Sequence, residues 1–235
     1  MKKKIKKILS KKKDNNKIVS LTAYSKNVAK ILDKYVDIVL VGDSMANVLY
    51  GYKNTHKLDL EKMIQHATSV NQGIKNSLLV VDMPKGTYKN INAAVKNVKL
   101  VMSKTKCDAV KIESNKRNYN IIETLTKKKI PVMGHIGYTP QFKKKFKVEG
   151  VSKIECMNLL KEAILIEKAG AFSIVLECIA PQTAKLITKK LKIPTIGIGS
   201  SAFCDGQVLV TDDMLGISGF YPKFVKKYVN LNRII

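Results

Sequence analysis

Eight short runs rich in Val, Ile and Leu recur along this chain of 235 residues, and longer amphipathic stretches separate them. Near-continuous apolar runs of this length are typical of strands that are buried on both faces of a parallel sheet. Eight such strands alternating with helices predict an α/β fold, a single (β/α)8 barrel, for which this chain length is suitable. The predicted strands are Lys17–Tyr24, Asp37–Ser44, Ser77–Pro84, Ala109–Ser114, Pro131–Gly137, Ser173–Ile179, Ile193–Ser200 and Gln207–Asp213.

Several of the intervening stretches have the spacing of apolar residues that is typical of helices. Gly73 and Gly170 lie where helix C-caps belong, and Ser152 precedes Glu155 as a capping box requires. The rival architecture is a doubly wound open sheet, which usually has a glycine-rich phosphate loop after its first strand. The segment in that place reads TAYSKN and is not such a loop. The predicted helices are Leu58–Gly73, Asn90–Thr105, Tyr119–Lys128, Ser152–Ala169 and Pro181–Lys190.

The net charge of +25 raises the question of nucleic-acid binding, because clustered basic side chains neutralise phosphates. Only Arg117 and Arg233 are arginines, however, and lysine is poor at reading guanine edges and at stacking on bases. The first 17 residues carry nine Lys and one Asp, and the remaining excess is spread along the chain. We therefore predict no nucleic-acid partner. We interpret residues 1–16 as a basic N-terminal helix or tail and residues 17–235 as a single barrel domain.

The sequence also indicates where a chain of this kind works. It contains no apolar stretch of the about 18–20 residues that a membrane span needs, and Lys interrupts the N-terminus too often for a secretory signal. The four cysteines lie far apart and form no CxxC pair, which is typical of reduced thiols. We predict a cytoplasmic protein with no membrane partner.

Charged and polar side chains end five consecutive predicted strands. One such residue has an ordinary structural explanation: Asp43 as a helix cap, Asp82 in a turn, or Lys111 with Glu113 as an ion pair at the rim. Five consecutive strands ending this way indicate a shared polar site at the carboxyl rim of the barrel, where barrel enzymes build their active sites. His56 and His66 lack this context and are interpreted as ordinary loop and helix positions. The strand-end residues are Asp43, Asp82, Lys111 with Glu113, His135 and Glu177.

Two aspartates and a glutamate that converge on one point suit a hard divalent cation such as Mg2+. Such an ion can chelate a 2-oxo acid and acidify the neighbouring C–H bond. Glu177 is then the candidate base and Lys111 the candidate partner for an anionic group. The residues alone therefore predict a metal-assisted enzyme that forms an enolate, without naming its substrate.

Seven motifs spread from about Ile18 to Tyr228 closely resemble the ketopantoate hydroxymethyltransferase family. They are VGDS, DMP, VKIE, PVMGHIGYTPQ, VLEC, IPTIGIG and CDGQVLV, in this order. The resemblance implies a (β/α)8 barrel that assembles as a homo-oligomer, in that family a decamer. It also implies transfer of a hydroxymethyl group from 5,10-methylenetetrahydrofolate to 3-methyl-2-oxobutanoate, which gives 2-dehydropantoate on the route to pantothenate and coenzyme A.

The same resemblance implies individual roles. Asp43 and Asp82 match metal-binding aspartates, and Glu113 matches the acidic residue that completes a site for one Mg2+ per subunit. Asp43, Ser44, Asp82 and Lys111 match positions that contact the oxo acid, and Glu177 matches the proton acceptor. His135 is near the site in such enzymes and receives no role here.

Three segments depart from the family pattern or extend it. The loop Gln141–Gly150 is a few residues shorter than usual, which we expect to alter the folate side of the pocket, and its Lys-rich part, residues 142–147, is expected to be exposed. Ser200 and Ser201 replace the more usual Ala-Gly and add bulk at a turn that favours glycine. Tyr221–Tyr228 resembles the closing helix of the family.

Two other functions remain open at this point. The rim residues also resemble those of the isocitrate lyase and phosphoenolpyruvate mutase superfamily, so a Mg-dependent carbon–carbon lyase is the enzymatic alternative, although no KKCGH-type loop is found. A binding protein that uses the positive charge is the other alternative, and the intact set of carboxylates argues against it.

Overall fold

The computed structural model describes residues 3–115, 117–219 and 221–235, and its strands and helices alternate along the chain. The strands are β1 (Ile18–Thr22), β2 (Ile38–Val41), β3 (Leu78–Asp82), β4 (Ala109–Glu113), β5 (Val132–Gly137), β6 (Ser173–Glu177), β7 (Thr195–Ile198) and β8 (Gly206–Leu209). The helices are α1 (Lys3–Lys13), α2 (Lys26–Leu32), α3 (Met45–Val48), α4 (Leu60–Asn71), α5 (Ile91–Thr105), α6 (Tyr119–Lys127), α7 (Lys153–Lys168), α8 (Pro181–Lys190) and α9 (Thr211–Met214), with short 3-10 turns at Thr55–Lys57 and Leu231–Arg233.

The eight strands form a closed parallel barrel in chain order. Each strand pairs with the next, and β8 pairs with β1. The register places Asp82 beside Lys111 and Glu113 beside His135. This is the (β/α)8 barrel predicted from the sequence, and the α/β fold class is confirmed.

Successive side chains of each strand point alternately outward and inward, and they belong to two different apolar layers. In β4, Val110 and Ile112 pack outward in the layer under the helices, whereas Ala109 belongs to the barrel interior. Because side chains two apart share a face of a strand, Lys111 and Glu113 point into the barrel with Ala109. The strands thus support an apolar interior near their start and a polar rim at their carboxyl ends.

Helix α1 closes the amino end of the barrel. Ile5 and Ile8 are buried among the inward-facing residues of the strands. The lysines of the same helix pair with aspartates that precede three strands: Lys4 with Asp108 at 3.4 Å, Lys11 with Asp37 at 2.5 Å and Lys12 with Asp205 at 2.7 Å. Part of the basic N-terminus is therefore bound to the barrel.

The helix ends confirm two of the predicted caps and correct a third. Ser152 accepts a hydrogen bond from the Glu155 amide, and Gly170 has the left-handed conformation after α7, with φ of +90°. Gly73 lies outside the left-handed region. A Cβ atom there would lie 2.4 Å from the carbonyl oxygen of Lys26, so glycine is needed for the close approach of α4 to α2.

Two segments near the C-terminus differ from the sequence prediction. The last strand ends at Leu209, and Asp213 belongs to α9. The segment Tyr221–Tyr228 is irregular and not the expected helix. None of its side chains is fully buried, and a helix this short is not stable without a packed face.

The turn at Ser200 and Ser201 accommodates its side chains. Neither residue has a positive φ, and the Ser200 hydroxyl donates a hydrogen bond to the carbonyl of Ile179. The expected preference for glycine is therefore not present at these positions.

Within the residues described, no helix is both long enough and apolar enough to cross a lipid bilayer.

Candidate active site

The residues that end β2, β3 and β4 meet at the carboxyl rim of the barrel. The Lys111 ammonium lies 2.9 Å from Asp82 Oδ1, and the Asp43 amide donates a hydrogen bond of 2.9 Å to Asp82 Oδ2. Both Asp82 and Lys111 are almost completely buried. Lys111 thus forms its close ion pair across two strands, and Asp82 is bound by neighbouring groups on both of its oxygens.

Gln141, which we did not select from the sequence, connects the carboxyl groups of Asp43 and Glu113. Its backbone N–H donates a hydrogen bond of 3.0 Å to Glu113 Oε2, and its side-chain Nε2 donates one of 2.9 Å to Asp43 Oδ2. The Tyr88 hydroxyl donates in turn to Gln141 Oε1 at 2.6 Å. The bond from Gln141 shows that the Asp43 carboxylate faces this cluster. Residue 44 is the N-cap of α3, so Asp43 is not the helix cap that the sequence left open.

Ser44 lies beside Asp43 and is oriented by a tyrosine. Its hydroxyl is 2.9 Å from the hydroxyl of Tyr24, which is buried below it. Burial raises the pKa of Tyr24, so this phenol stays protonated and can donate to Ser44.

His135 lies between Lys111 and Glu177. The Lys111 ammonium is 3.3 Å from His135 Nδ1, and His135 Nε2 is 3.2 Å from Glu177 Oε2. Burial, reinforced by the Lys111 charge, lowers the pKa of His135 well below its usual value, so the ring is neutral. An ammonium can only donate, so Nδ1 accepts and the ring proton is on Nε2, facing Glu177.

Burial makes three of the carboxyl groups more basic, and it raises the pKa of Asp82 to about 6 against the opposing charge of Lys111. It raises the pKa of Glu177 to about 7, against the opposing effect of the Lys111 ammonium. It raises the pKa of Glu113 well above the usual range, and the nearby Asp43 adds to this effect. Burial also disfavours charge on Lys111, but the surrounding carboxylates outweigh it and raise the pKa of Lys111, which stays charged.

The donor set at this rim fits a divalent cation. Three carboxylates, those of Asp43, Asp82 and Glu113, face the single ammonium of Lys111 and a neutral histidine. In the described part of the chain, Glu113 Oε1 is buried without a hydrogen-bond partner. Among the described residues, no group of three or more Asp, Glu, His or Cys side chains is arranged to hold a metal ion. Mg2+ usually keeps water or substrate in its shell, so a partial set is sufficient for it.

A cavity of about 860 Å³ opens above these side chains. Its polar floor includes Asp43, Ser44, Asp82, Lys111 and Glu177, so the structure brings all the sequence-selected residues to one place, with Glu113 and His135 also on the wall. His56 lines the same cavity and hydrogen-bonds through Nε2 to the carbonyl of Pro140 at 2.9 Å. The interpretation of His56 as an ordinary loop residue therefore missed its place at the cavity wall.

The contacts also show what His66 does and whether Asp82 is only a turn residue. His66 bonds to the carbonyl of Tyr24 at 2.7 Å and to the Tyr50 hydroxyl at 2.9 Å, away from the polar floor, as an ordinary helix position. Asp82 is engaged by Lys111 and by the Asp43 amide and is not only a turn residue.

The closed barrel and the charged groups at its carboxyl rim define this protein as an enzyme of the (β/α)8 class. A family model described as ketopantoate hydroxymethyltransferase matches residues 2–235. The chain belongs to the ketopantoate hydroxymethyltransferase family, and the resemblance predicted from its motifs is confirmed.

Curated relatives agree with this assignment. A 3-methyl-2-oxobutanoate hydroxymethyltransferase of Pelagibacter ubique is 53% identical over 98% of this chain and 90% of its own length. The enzyme of the same name from Bartonella tribocorum is 45% identical over 94% of this chain and 83% of its own length. The chain is thus a member of a hydroxymethyltransferase family, and these relatives do not support the alternative of a carbon–carbon lyase.

Solved structures share the fold at low sequence identity. A phosphonopyruvate hydrolase complex with oxalate and Mg++ aligns with a TM-score of 0.68 at 11% identity, covering 88% of this chain and 80% of that one. A 2,3-dimethylmalate lyase of the PEP mutase/isocitrate lyase superfamily aligns with a TM-score of 0.67 at 12% identity, with the same coverage. These similarities support the barrel architecture.

Proposed function

We propose that this chain transfers a hydroxymethyl group from 5,10-methylenetetrahydrofolate to 3-methyl-2-oxobutanoate and so forms 2-dehydropantoate. The observation that carries the proposal is Glu177, a carboxylate whose raised pKa suits a general base and which shares a cavity with the carboxylate cluster. The relatives that carry this activity in their names match nearly the whole chain.

One Mg2+ per subunit is the proposed metal, and Asp43, Asp82 and Glu113 are the residues that would hold it, directly or through water. When bound, the ion supplies a Lewis acid that draws electron density from the oxo acid and acidifies its C3–H bond. The phosphonopyruvate hydrolase structure was solved with Mg++, which is consistent with this assignment on the same fold.

The protein groups bind the oxo acid and move its proton. Lys111 and Ser44 are placed to hold the carboxylate of the substrate, because one is a buried ammonium and the other a hydroxyl oriented by Tyr24. Glu177 removes the C3 proton, and its carboxylate is ionised when it does so. The neutral ring of His135 lies beside the base, with Nε2 3.2 Å from Glu177 Oε2 and no hydrogen bond between them. At the folate, water replaces the two carbon–nitrogen bonds of the methylene group: its protons go to the two nitrogens, which leave as tetrahydrofolate, and its oxygen stays on the carbon. The electron pair left at C3 forms the new carbon–carbon bond to this carbon, and the proton taken by Glu177 ends on the oxygen, which completes the hydroxymethyl group.

We also propose the wider setting implied by the family. The enzyme is expected to act in the cytoplasm and to assemble as a homo-oligomer, in the family a decamer. Its other partners are expected to be the small-molecule oxo acid and folate, with no nucleic-acid or membrane partner. A molar mass measured by light scattering at several protein concentrations would test the assembly.

Proton exchange at C3 of 3-methyl-2-oxobutanoate in D2O, followed by NMR, tests the central step without any folate. We expect exchange that requires Mg2+ and ceases when the ion is chelated. Adding 5,10-methylenetetrahydrofolate is then expected to give 2-dehydropantoate. Absence of exchange by folded protein with Mg2+ present would overturn the proposed function.

The pH dependence of this exchange follows from the pKa of Glu177. A general base works in its deprotonated form, so the rate is expected to rise with pH and to level off above the pKa. Burial raises that pKa to about 7, and a bound divalent cation would lower it, so the half-maximal rate should fall at or below about pH 7. Rates measured from about pH 5 to about pH 9 check this, and a rate that falls as the pH rises through this range would contradict it.

Gly137→Ala tests how the backbone positions the base. Gly137 ends β5 with a φ of +94°, and a Cβ atom there would lie 2.1 Å from the carbonyl oxygen of Glu177. We expect the strand end that carries Glu177 to shift, with an exchange rate at least about 10-fold lower and a free energy of unfolding lower by about 1–3 kcal/mol. Gly219→Ala is the matched control, since Gly219 also has a positive φ, of +79°, and no atom near its Cβ position. A Gly137→Ala rate equal to that of this control would refute the close contact.

A further inference from the structure

Three aromatic side chains form a ledge on one side of the cavity mouth. Tyr138 and Phe146 have ring centroids 4.9 Å apart in an edge-to-face arrangement, and Phe146 stacks with Phe224 at 6.5 Å with 23° between the ring planes. We call Tyr138, Phe146 and Phe224 the aromatic ledge. All three line the cavity, and Phe146 keeps 56% of its surface exposed. Partly exposed rings at the mouth of a cavity are suited to stack on a planar ligand.

The ledge is attached to the strand ends that carry the proposed base. The Tyr138 amide donates a hydrogen bond of 2.8 Å to the carbonyl oxygen of Glu177. On the other side, the Phe224 ring packs against Gly199, directly after β7, where a Cβ atom would lie 2.4 Å from the ring. A planar group resting on the ledge therefore lies next to the residue that removes the proton.

The volume and charge of the cavity indicate a second, larger substrate. About 860 Å³ is the size of cavities that hold drug-sized ligands, and a five-carbon oxo acid on the polar floor leaves most of it free. Lys53 and Lys144 are exposed and line the same cavity. Lys143 is instead bound to the carbonyl of Gly137 at 2.7 Å and to Glu149 at 3.1 Å. The mouth thus offers rings and two exposed ammonium groups, which suits an aromatic ligand with an anionic tail.

We propose that the aromatic ledge is the seat of the pterin and aminobenzoyl rings of the folate, and that Lys53 and Lys144 bind the carboxylates of its glutamate tail. This inference rests on the proposed function, because it assigns a place to the one-carbon donor of that reaction. It also gives the short loop between Gln141 and Gly150 a role, since that loop supplies both Phe146 and Lys144.

The first test measures binding of 5-formyltetrahydrofolate, a stable analogue, to wild type and to Phe146→Ala. We expect the Kd of the analogue and the KM for 5,10-methylenetetrahydrofolate to rise about 10-fold in Phe146→Ala, with the KM for the oxo acid unchanged. Phe146→Tyr retains a ring and should restore wild-type binding. Phe142→Ala is the matched control, because Phe142 is in the same loop and 42% exposed but packs on Tyr88, away from this cavity.

The second test concerns the tail. Analogues with one and with three glutamates are compared, and wild type is expected to bind the longer one about 3-fold more tightly at low salt. Lys144→Gln should remove most of that preference, whereas Lys145→Gln, an exposed neighbour outside the cavity lining, should keep it.

The outcomes separate this inference from the proposed function. Unchanged folate binding in Phe146→Ala, in an enzyme that still exchanges the C3 proton, would overturn the ledge and leave the function in place. Loss of proton exchange in Phe146→Ala without a change in folate binding would assign the ledge to the oxo acid and also overturn the inference. A wild-type enzyme that binds the analogue but exchanges no proton would overturn the proposed function alone.

Discussion

Glu177→Gln is expected to reduce proton exchange at C3 of 3-methyl-2-oxobutanoate by about 10²–10⁴-fold, because the amide cannot accept the proton. Its side chain keeps the shape of glutamate, so binding of the oxo acid should change little. The rate of exchange in D2O with Mg2+, followed by NMR, measures the loss directly, and the KM for the oxo acid measures binding.

The same variant is expected to lose activity but to gain stability. Burial raises the folded-state pKa of Glu177 to about 7, so above that pH its negative charge opposes folding. Replacing it with a neutral amide should raise the free energy of unfolding at about pH 8 by about 1–3 kcal/mol. Glu123→Gln, an exposed change on α6, serves as the control for loss of a charge. Full exchange activity in Glu177→Gln would exclude Glu177 as the base.

Ile8→Ala is expected to destabilise the fold strongly. Ile8 is 1% exposed and packs with Ile5 against the inward side chains at the floor of the barrel. Truncating a buried isoleucine removes its transfer free energy and leaves a cavity, which together cost about 2–5 kcal/mol. Urea denaturation gives the difference in the free energy of unfolding.

The control for this change is Lys7→Ala on the exposed side of the same helix. It should alter the free energy of unfolding by about 0.5 kcal/mol or less. Equal stabilities of Ile8→Ala and Lys7→Ala would show that α1 does not close the barrel in solution.

The sequence was sufficient to predict the barrel because its strands are buried on both faces. Such strands must be nearly continuous in apolar residues, and a charged residue at their end, such as Asp82 or Glu177, stands out against them. Barrel enzymes build their sites at the carboxyl rim, so these strand-end residues were expected to lie together.

No comparable signal in the sequence marks the groups that organise the site from a distance. Gln141 bonds to Asp43, 98 positions away, and a polar residue in a loop has no local pattern that reveals such a contact. His56 was missed for the same reason. The helix expected at Tyr221–Tyr228 was implied by the resemblance to the family and was wrong, because a short segment does not form a helix without a surface to pack on.

The N-terminal lysines show how composition alone misleads. Nine lysines among the first 17 residues suggest a solvated tail, yet three of them bind aspartates below the strands. The signal was present in Ile5 and Ile8, which are spaced to lie on one face of a helix, but only the barrel reveals what that face covers.

The position of α1 also has a consequence for how the chain is made. Helix α1 comes before every strand of the barrel, but Lys12 binds Asp205 and the carbonyl of Thr188, which are synthesised 193 and 176 residues later. This part of its docking surface therefore does not exist until the segment that leads into the last strand has been made. The lysines of the helix keep it compatible with water until then. Because contacts between residues so far apart in sequence form slowly, docking of α1 is expected to belong to a late stage of folding.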